Sequence, residues 1–185
     1  MMPTETGLIA RAQVLREQRR QFETVWQNIA DHGLGRRDFL TMRTPGTDRM
    51  ARIYDNTFLL GAQMLAAGVQ SLIANTATQW FELVPEESWL LDDQDVAAWI
   101  DGVEARLLAL FNRPTTGFIT QTSEVCFDLV SFGTGAFYVG EDDSGPWFSS
   151  RPLGELVVAE DSRGRIDTVF RDFTMPAREV VDKFP

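Results

Sequence analysis

One cysteine, Cys126, and one histidine, His32, set tight limits on the chemistry open to this chain. A lone cysteine allows no internal disulfide and no Cys-based zinc site. A lone histidine removes His-based zinc sites and the Ser-His-Asp triad. Cys126 falls on the apolar side of an expected helix, where a thiol acts as a small hydrophobe. His32, in a different segment and beside Gly33, is placed to meet the carbonyls that end the first helix. Gly133-Thr134-Gly135 has neither the third glycine nor the lysine of a phosphate-binding loop, so it reads as a turn between helix and strand. The acidic groups Asp92-Asp93-Gln94-Asp95, Glu86-Glu87 and Asp142-Asp143 offer oxygen ligands of the kind that suit Mg²⁺ or Ca²⁺. A metal-dependent phosphodiesterase or nuclease is therefore one reading. Against it, the first group sits where a helix N-terminus takes acids, and the last sits in a hairpin turn. The residues name no catalytic site, no metal site and no cofactor.

The elements that must position these residues follow from periodicity. Leu8, Leu15, Phe22, Val25, Trp26 and Ile29 recur at three, four and seven, which predicts one helix over 8–31 with Gly33 as its stop. Residues 34–48 hold Gly35, Pro45 and Gly46 and read as a connector. A second helix is expected over 49–75. Its apolar run is interrupted by Gln63, Gln70 and Ser71 and falls short of about 20 residues, which favours a buried helix over a membrane span. Its Gly61, Ala62, Ala66 and Gly68 are expected to let backbones pack closely. Residues 79–85 read as a short strand ended by Pro85. Asp92 or Asp93 caps a helix over 93–112, with Val96, Ile100, Val103, Leu107 and Leu110 on one face. Pro114 ends it, and a helix over 116–132 stops at Gly133. The period then shifts to that of strands: a hairpin turning at 141–146, then a second pairing 155–160 with 165–173 around Asp161-Ser162-Arg163-Gly164. Ile166, Thr168 and Phe170 alternate on one face of its return strand. A closing helix starts near Pro176. Helices followed by an antiparallel β-meander make an α+β class.

Composition agrees with a folded domain. The chain has 185 residues, 44% of them hydrophobic, with 13 Phe, 5 Trp and 2 Tyr, which disordered segments lack. Of the 17 basic residues all are Arg except Lys183. Residues 1–52 carry nine Arg against six acids, whereas residues 53–185 carry eight basic residues against 21 acids. A body this acidic repels phosphates at long range, which argues against broad non-specific DNA binding. Met1-Met2-Pro3-Thr4-Glu5-Thr6-Gly7 has no basic stretch leading into an apolar one, so no signal peptide is expected and synthesis in a cytoplasm is the default.

One ordered set of segments is more specific than any single motif. It runs Arg52-Ile53-Tyr54-Asp55-Asn56-Thr57, then Ala62 and Leu65-Ala66-Ala67-Gly68-Val69-Gln70-Ser71, then Asn75 and Trp80-Phe81-Glu82-Leu83. It continues with Asp128-Leu129-Val130-Ser131-Phe132-Gly133-Thr134-Gly135, Glu141-Asp142 and Gly154-Glu155. It ends with Asp161 to Thr168, Phe170 to Thr174 and Ala177-Arg178. From about residue 20 onward this resembles the head-to-tail connector (portal) proteins of short-tailed bacteriophages. The resemblance implies a non-enzymatic structural subunit. Such subunits form a ring, usually of twelve, at one capsid vertex, through which double-stranded DNA enters and leaves. It also implies capsid and scaffold proteins, terminase and a tail adaptor as partners, the virion as location, and no membrane. On this reading residues 1–48 are an N-terminal helix and connector arm. Residues 49–185 are a wing-like α+β domain, incomplete at its C-terminus, because stem, channel loop, clip and crown would follow. Arg49, Arg52, Tyr54 and Asp55 are the candidate subunit-contact residues. A stand-alone cellular interaction domain is the remaining alternative.

Overall fold

The computed structural model describes residues 5–34, 52–75 and 77–183. They fall into two compact units: one from Met1–Asp55 and Pro152–Pro185, the other from Asn56–Arg151. The elements are α+β, as expected.

In the first unit, α1 spans Glu5–Ile29 and widens into a π-turn over Ala30–Leu34. The expected stop at Gly33 is overtaken, since Gly33 is buried inside that turn. His32 does meet a helix-ending carbonyl, with Nδ1 3.0 Å from Asn28 O. The packed face of α1 is Ala12, Leu15, Arg19, Trp26, Gln27 and Ala30. This differs from the expected apolar stripe, because Leu8, Phe22 and Val25 are exposed. Arginine accounts for the shift: its long stem covers apolar surface while its fork reaches polar groups.

Those forks fasten α1 to the strands. After a short 3₁₀ turn at Leu153–Glu155, β3 (Leu156–Glu160) pairs antiparallel with β4 (Ile166–Arg171), with a bulge at Ala159/Glu160. Thr168 and Phe170 are half-buried on β4, while Ile166 is exposed. Asp161 closes the turn by accepting Arg163 N at 2.8 Å and Arg165 N at 2.9 Å, and Gly164 takes φ 74°. Arg19 donates to Gly154 O at 3.0 Å and Leu156 O at 2.7 Å, and its Nε to Glu23 at 2.8 Å. Arg16 grips Asp172 with two bonds, at 2.7 and 2.6 Å. Helix α5 (Ala177–Lys183) follows Pro176 as expected.

The Arg16 bond holds the Asp172 carboxyl below its ordinary value of 3.8. A depressed folded-state value contributes stability above the unfolded value and loses it as pH falls through the folded one. Asp172→Asn should therefore melt slightly lower than the parent at pH 7, and the gap should close below about pH 4. Thermal melts of both proteins across that range check it; a gap that persists at the acid end would contradict this origin.

In the second unit, α2 spans Thr57–Ile73, shorter than expected because residues 52–56 are not helical. Residues 49–51 lie outside the described residues. Segment 79–85 is extended but joins no sheet, so the expected strand does not form. Helix α3 (Gln94–Phe111) starts at Asp93, whose side chain accepts Asp95 N at 2.9 Å. A 3₁₀ turn at Pro114–Thr116 and left-handed Gly117 lead into α4 (Phe118–Phe132), which Gly133 ends at φ 78°. Strand β1 (Ala136–Asp142) pairs with β2 (Gly145–Arg151). The four strands make two separate hairpin sheets rather than one continuous meander.

The core of this unit is aromatic. Phe118 stacks on Trp80 at 5.8 Å and meets Phe111, Phe148 and Phe137 at 4.6, 5.1 and 5.9 Å. Beside it, Ala62 and Ala66 bury one narrow face of α2. Ala66 is 4% exposed, so Ala66→Leu should overpack the site and cost about 1–3 kcal/mol. A melting temperature within a degree of the parent would show that the site gives way freely.

Candidate subunit-contact surface

Of the four candidate contact residues, Arg49 lies outside the described residues. Arg52 turns back on its own unit and donates to Asp31 Oδ2 at 2.8 Å. Asp31 sits in the π-turn with its side chain 8% exposed and also accepts Gln27 Nε2 at 2.8 Å. The π-turn thus aims a buried carboxylate at the returning chain. Tyr54 is 92% exposed, and Asp55 is exposed as well. The structure brings Arg52 to Asp31 rather than to its sequence neighbours.

Helix α2 adds an apolar surface. No residue of Thr57–Ile73 is charged, yet it is not the buried helix that composition suggests. Phe58, Leu60, Met64, Leu65, Leu72 and Ile73 are all exposed, Met64 to 76% and Leu72 to 87%. Gly61 and Gly68, expected at close backbone contacts, have open space where a Cβ would stand. No helix among the described residues is long and apolar enough to cross a membrane. An uncharged, solvent-facing helix of this kind is the sort of surface that protein–protein contacts cover.

The residues with chemical potential are occupied structurally. Cys126 is buried, and desolvation pushes its thiol up. Asp142 accepts Ser144 N at 2.8 Å and the Ser144 hydroxyl, which holds its carboxyl below the ordinary value. Asp93 caps α3, and Gly133-Thr134-Gly135 is the turn from α4 into β1. A Cβ on Gly135 would stand 2.7 Å from Val125 O, so the glycine serves close approach of backbone. Among the described residues, no three His, Cys, Asp or Glu side chains are grouped to hold a metal ion.

Sequence reasoning missed Glu104. It is 8% exposed on α3 and accepts Leu83 N and Gln79 Nε2, both at 2.5 Å, so it fastens the extended segment. These residues line a cavity of about 660 Å³ together with Phe81, Ile100 and Asp101. An acid among the apolar positions of α3 was the signal available.

The sequence profile described as "Bacteriophage head to tail connecting protein" matches residues 5–185. The chain belongs to that family. Among relatives of this head-to-tail connecting chain is the protein named "Portal protein" of Salmonella phage epsilon15. It is 32% identical over 175 residues, covering 92% of this chain and 31% of the relative. The "Probable portal protein" of Bordetella phage BPP-1 is 30% identical over 180 residues, covering 96% and 32%. The head-to-tail connecting chain spans about a third of the length of these curated relatives.

Proposed function

We propose that the chain is part of a structural portal subunit that builds a homo-oligomeric ring at a capsid vertex and catalyses no reaction. The family match over residues 5–185 carries this reading. The uncharged, exposed α2 supports it, since ring closure needs a heterologous interface in which one patch meets a different patch on the next subunit. Arg49, Arg52, Tyr54 and Asp55 are proposed to contribute to that interface. Neighbouring subunits, capsid and scaffold proteins, terminase and a tail adaptor are the proposed partners of the full-length protein. Double-stranded DNA passes through the completed ring, and the protein resides in the virion.

The test replaces the matched segment of the epsilon15 portal protein with this chain and looks for rings by electron microscopy. Rings are expected; a polypeptide that stays monomeric would overturn the reading. Plasmid DNA incubated with the chain and Mg²⁺ or Mn²⁺ should remain intact. Exposed charge pairs give only about 0–1 kcal/mol each and are screened by salt. The chain alone is therefore expected as a monomer or small oligomer at micromolar concentration. Light scattering behind size exclusion checks this. A salt-resistant species near twelve times 20.9 kDa would place the whole ring interface in this chain.

A further inference from the structure

The outer face of the β1–β2 hairpin carries a group that neither the core nor the contact motif uses. Register places Ala136 opposite Arg151, Tyr138 opposite Ser149 and Gly140 opposite Trp147. With side chains alternating along each strand, Tyr138, Trp147 and Arg151 share one face, and Phe137 and Phe148 turn to the aromatic core on the other. Tyr138 and Trp147 lie 5.2 Å apart. The Arg151 guanidinium carbon sits 4.7 Å above the Tyr138 ring and 5.7 Å from that of Trp147. Gly140 makes the arrangement possible: a Cβ there would stand 2.5–2.7 Å from three atoms of the Trp147 indole. The indole therefore lies close against bare backbone, with the arginine beside it.

Stacking on rings satisfies the flat face of a guanidinium but none of its five N–H donors. Among the described residues Arg151 Nε has no hydrogen-bond partner and is covered, so the donors left for another molecule are those of the two Nη atoms of this half-buried residue. A fixed fork with donors to spare is what binds a carboxylate through paired bonds.

The charge of the unit points to the source of that carboxylate. Residues 56–151 hold thirteen Asp and Glu against three Arg, of which Arg151 is one. Glu141, Asp142 and Asp143 at the tip of the same hairpin disfavour a polyanion such as nucleic acid, while a single side chain approaches without that repulsion. A second copy of this chain offers carboxylates that stand singly on its surface, among the 21 acids of residues 53–185. We propose that Arg151, laid over Tyr138 and Trp147, is a docking point for an Asp or Glu side chain of a second copy of this chain. This names a contact within the proposed ring and rests on that reading.

Carbodiimide coupling tests it, because the reagent joins an amine only to a carboxylate in direct contact. Lys183 is the only lysine, so Lys183→Arg leaves just the α-amino group as background. Arg151→Lys in that background places one amine at the platform. Protein labelled with heavy nitrogen is mixed with unlabelled protein at high concentration and low salt, coupled, digested and analysed by mass spectrometry. The expected result is mixed-isotope peptides joining position 151 of one copy to an acid of another. They should be severalfold more abundant than any link in the Lys183→Arg parent, and suppressed by salt. Links confined to single copies would overturn the proposal, and so would none at all. That is also what a purely structural Arg151 predicts.

If Arg151→Lys no longer unfolds cooperatively, sedimentation velocity on Arg151→Gln and on the exposed control Arg106→Gln gives the same decision. Weaker self-association in the first alone supports the proposal; equal association sinks it. Quenching of tryptophan fluorescence by a single-stranded oligonucleotide that Arg151→Gln abolishes would reassign the site to nucleic acid. Rings in the epsilon15 chimera without a link at position 151 would sink this proposal and leave the ring reading standing. A link at position 151 without rings would do the reverse.

Discussion

Phe118→Ala should cost about 3–5 kcal/mol, the largest loss expected from any single truncation in this chain. Phe118 is the first residue of α4 and touches rings from three other places: Trp80 in the extended segment, Phe111 at the end of α3, and Phe137 and Phe148 on the hairpin. The ring sits at the centre of a cluster whose other rings also meet one another, so deleting it leaves a cavity bordered on several sides. Phe118→Leu keeps most of the volume and should lose less than half as much. Urea unfolding followed by tryptophan fluorescence reads both, since Trp80 lies in the same stack. A loss below about 1 kcal/mol for the alanine variant would mean the cluster repacks and is not the core of its unit.

Arg19→Ala is the second large effect, about 3 kcal/mol. The Arg19 side chain is 18% exposed and that of its partner Glu23 is 12% exposed, so the pair is mostly withdrawn from water. Truncation strands the Glu23 carboxylate and the carbonyls of Gly154 and Leu156 together. Arg19→Lys retains the charge but offers a single ammonium where a fork reaches three acceptors, and should recover only part of the loss. Thermal unfolding of the two variants decides it. Equal stability of lysine and arginine at this position would show that charge alone matters and that the carbonyl bonds contribute nothing.

Boundaries carried by a single residue were legible in the sequence. Asp93 caps α3, Gly133 ends α4 in the left-handed conformation, and both hairpins turn where Asp, Ser and Gly cluster. These signals are local: a side chain satisfying a nearby amide, or a glycine accepting a positive φ. What failed depended on a neighbour. Residues 79–85 have the composition of a strand, but a strand needs a partner, and here Leu83 N goes to Glu104. Helix α2 has the composition of a core helix, but its neighbours fully bury only Ala62 and Ala66 among its described residues. Along α1, apolar periodicity marks Phe22 and Val25, whereas the packed face is held by Arg19. Among the candidate contact residues, exposure and long-range bonding follow different rules. Tyr54 is exposed. The bond from Arg52 to Asp31 crosses 21 positions, and no local pattern announces it. Arg151, Tyr138 and Trp147 become a group only once the hairpin register is known.

The first unit is made of two stretches of chain separated by the whole of the second. During synthesis, α1 leaves the ribosome long before the carbonyls that Arg19 needs have been made. About 125 residues separate the end of α1 from Gly154 and Leu156, and adding them takes roughly 6–25 s at ordinary elongation rates. Through that interval α1 has no tertiary partner, and Ala12, Leu15 and Trp26, packed in the folded unit, stay uncovered. Closing so long a loop from an unstructured chain costs about 4 kcal/mol of entropy, growing only slowly with length. A second unit that has already condensed shortens the effective loop. The order of translation thus favours one route: Asn56–Arg151 condenses around Phe118 while the ribosome is still working, and β3 and β4 then arrive to capture a helix made first and folded last.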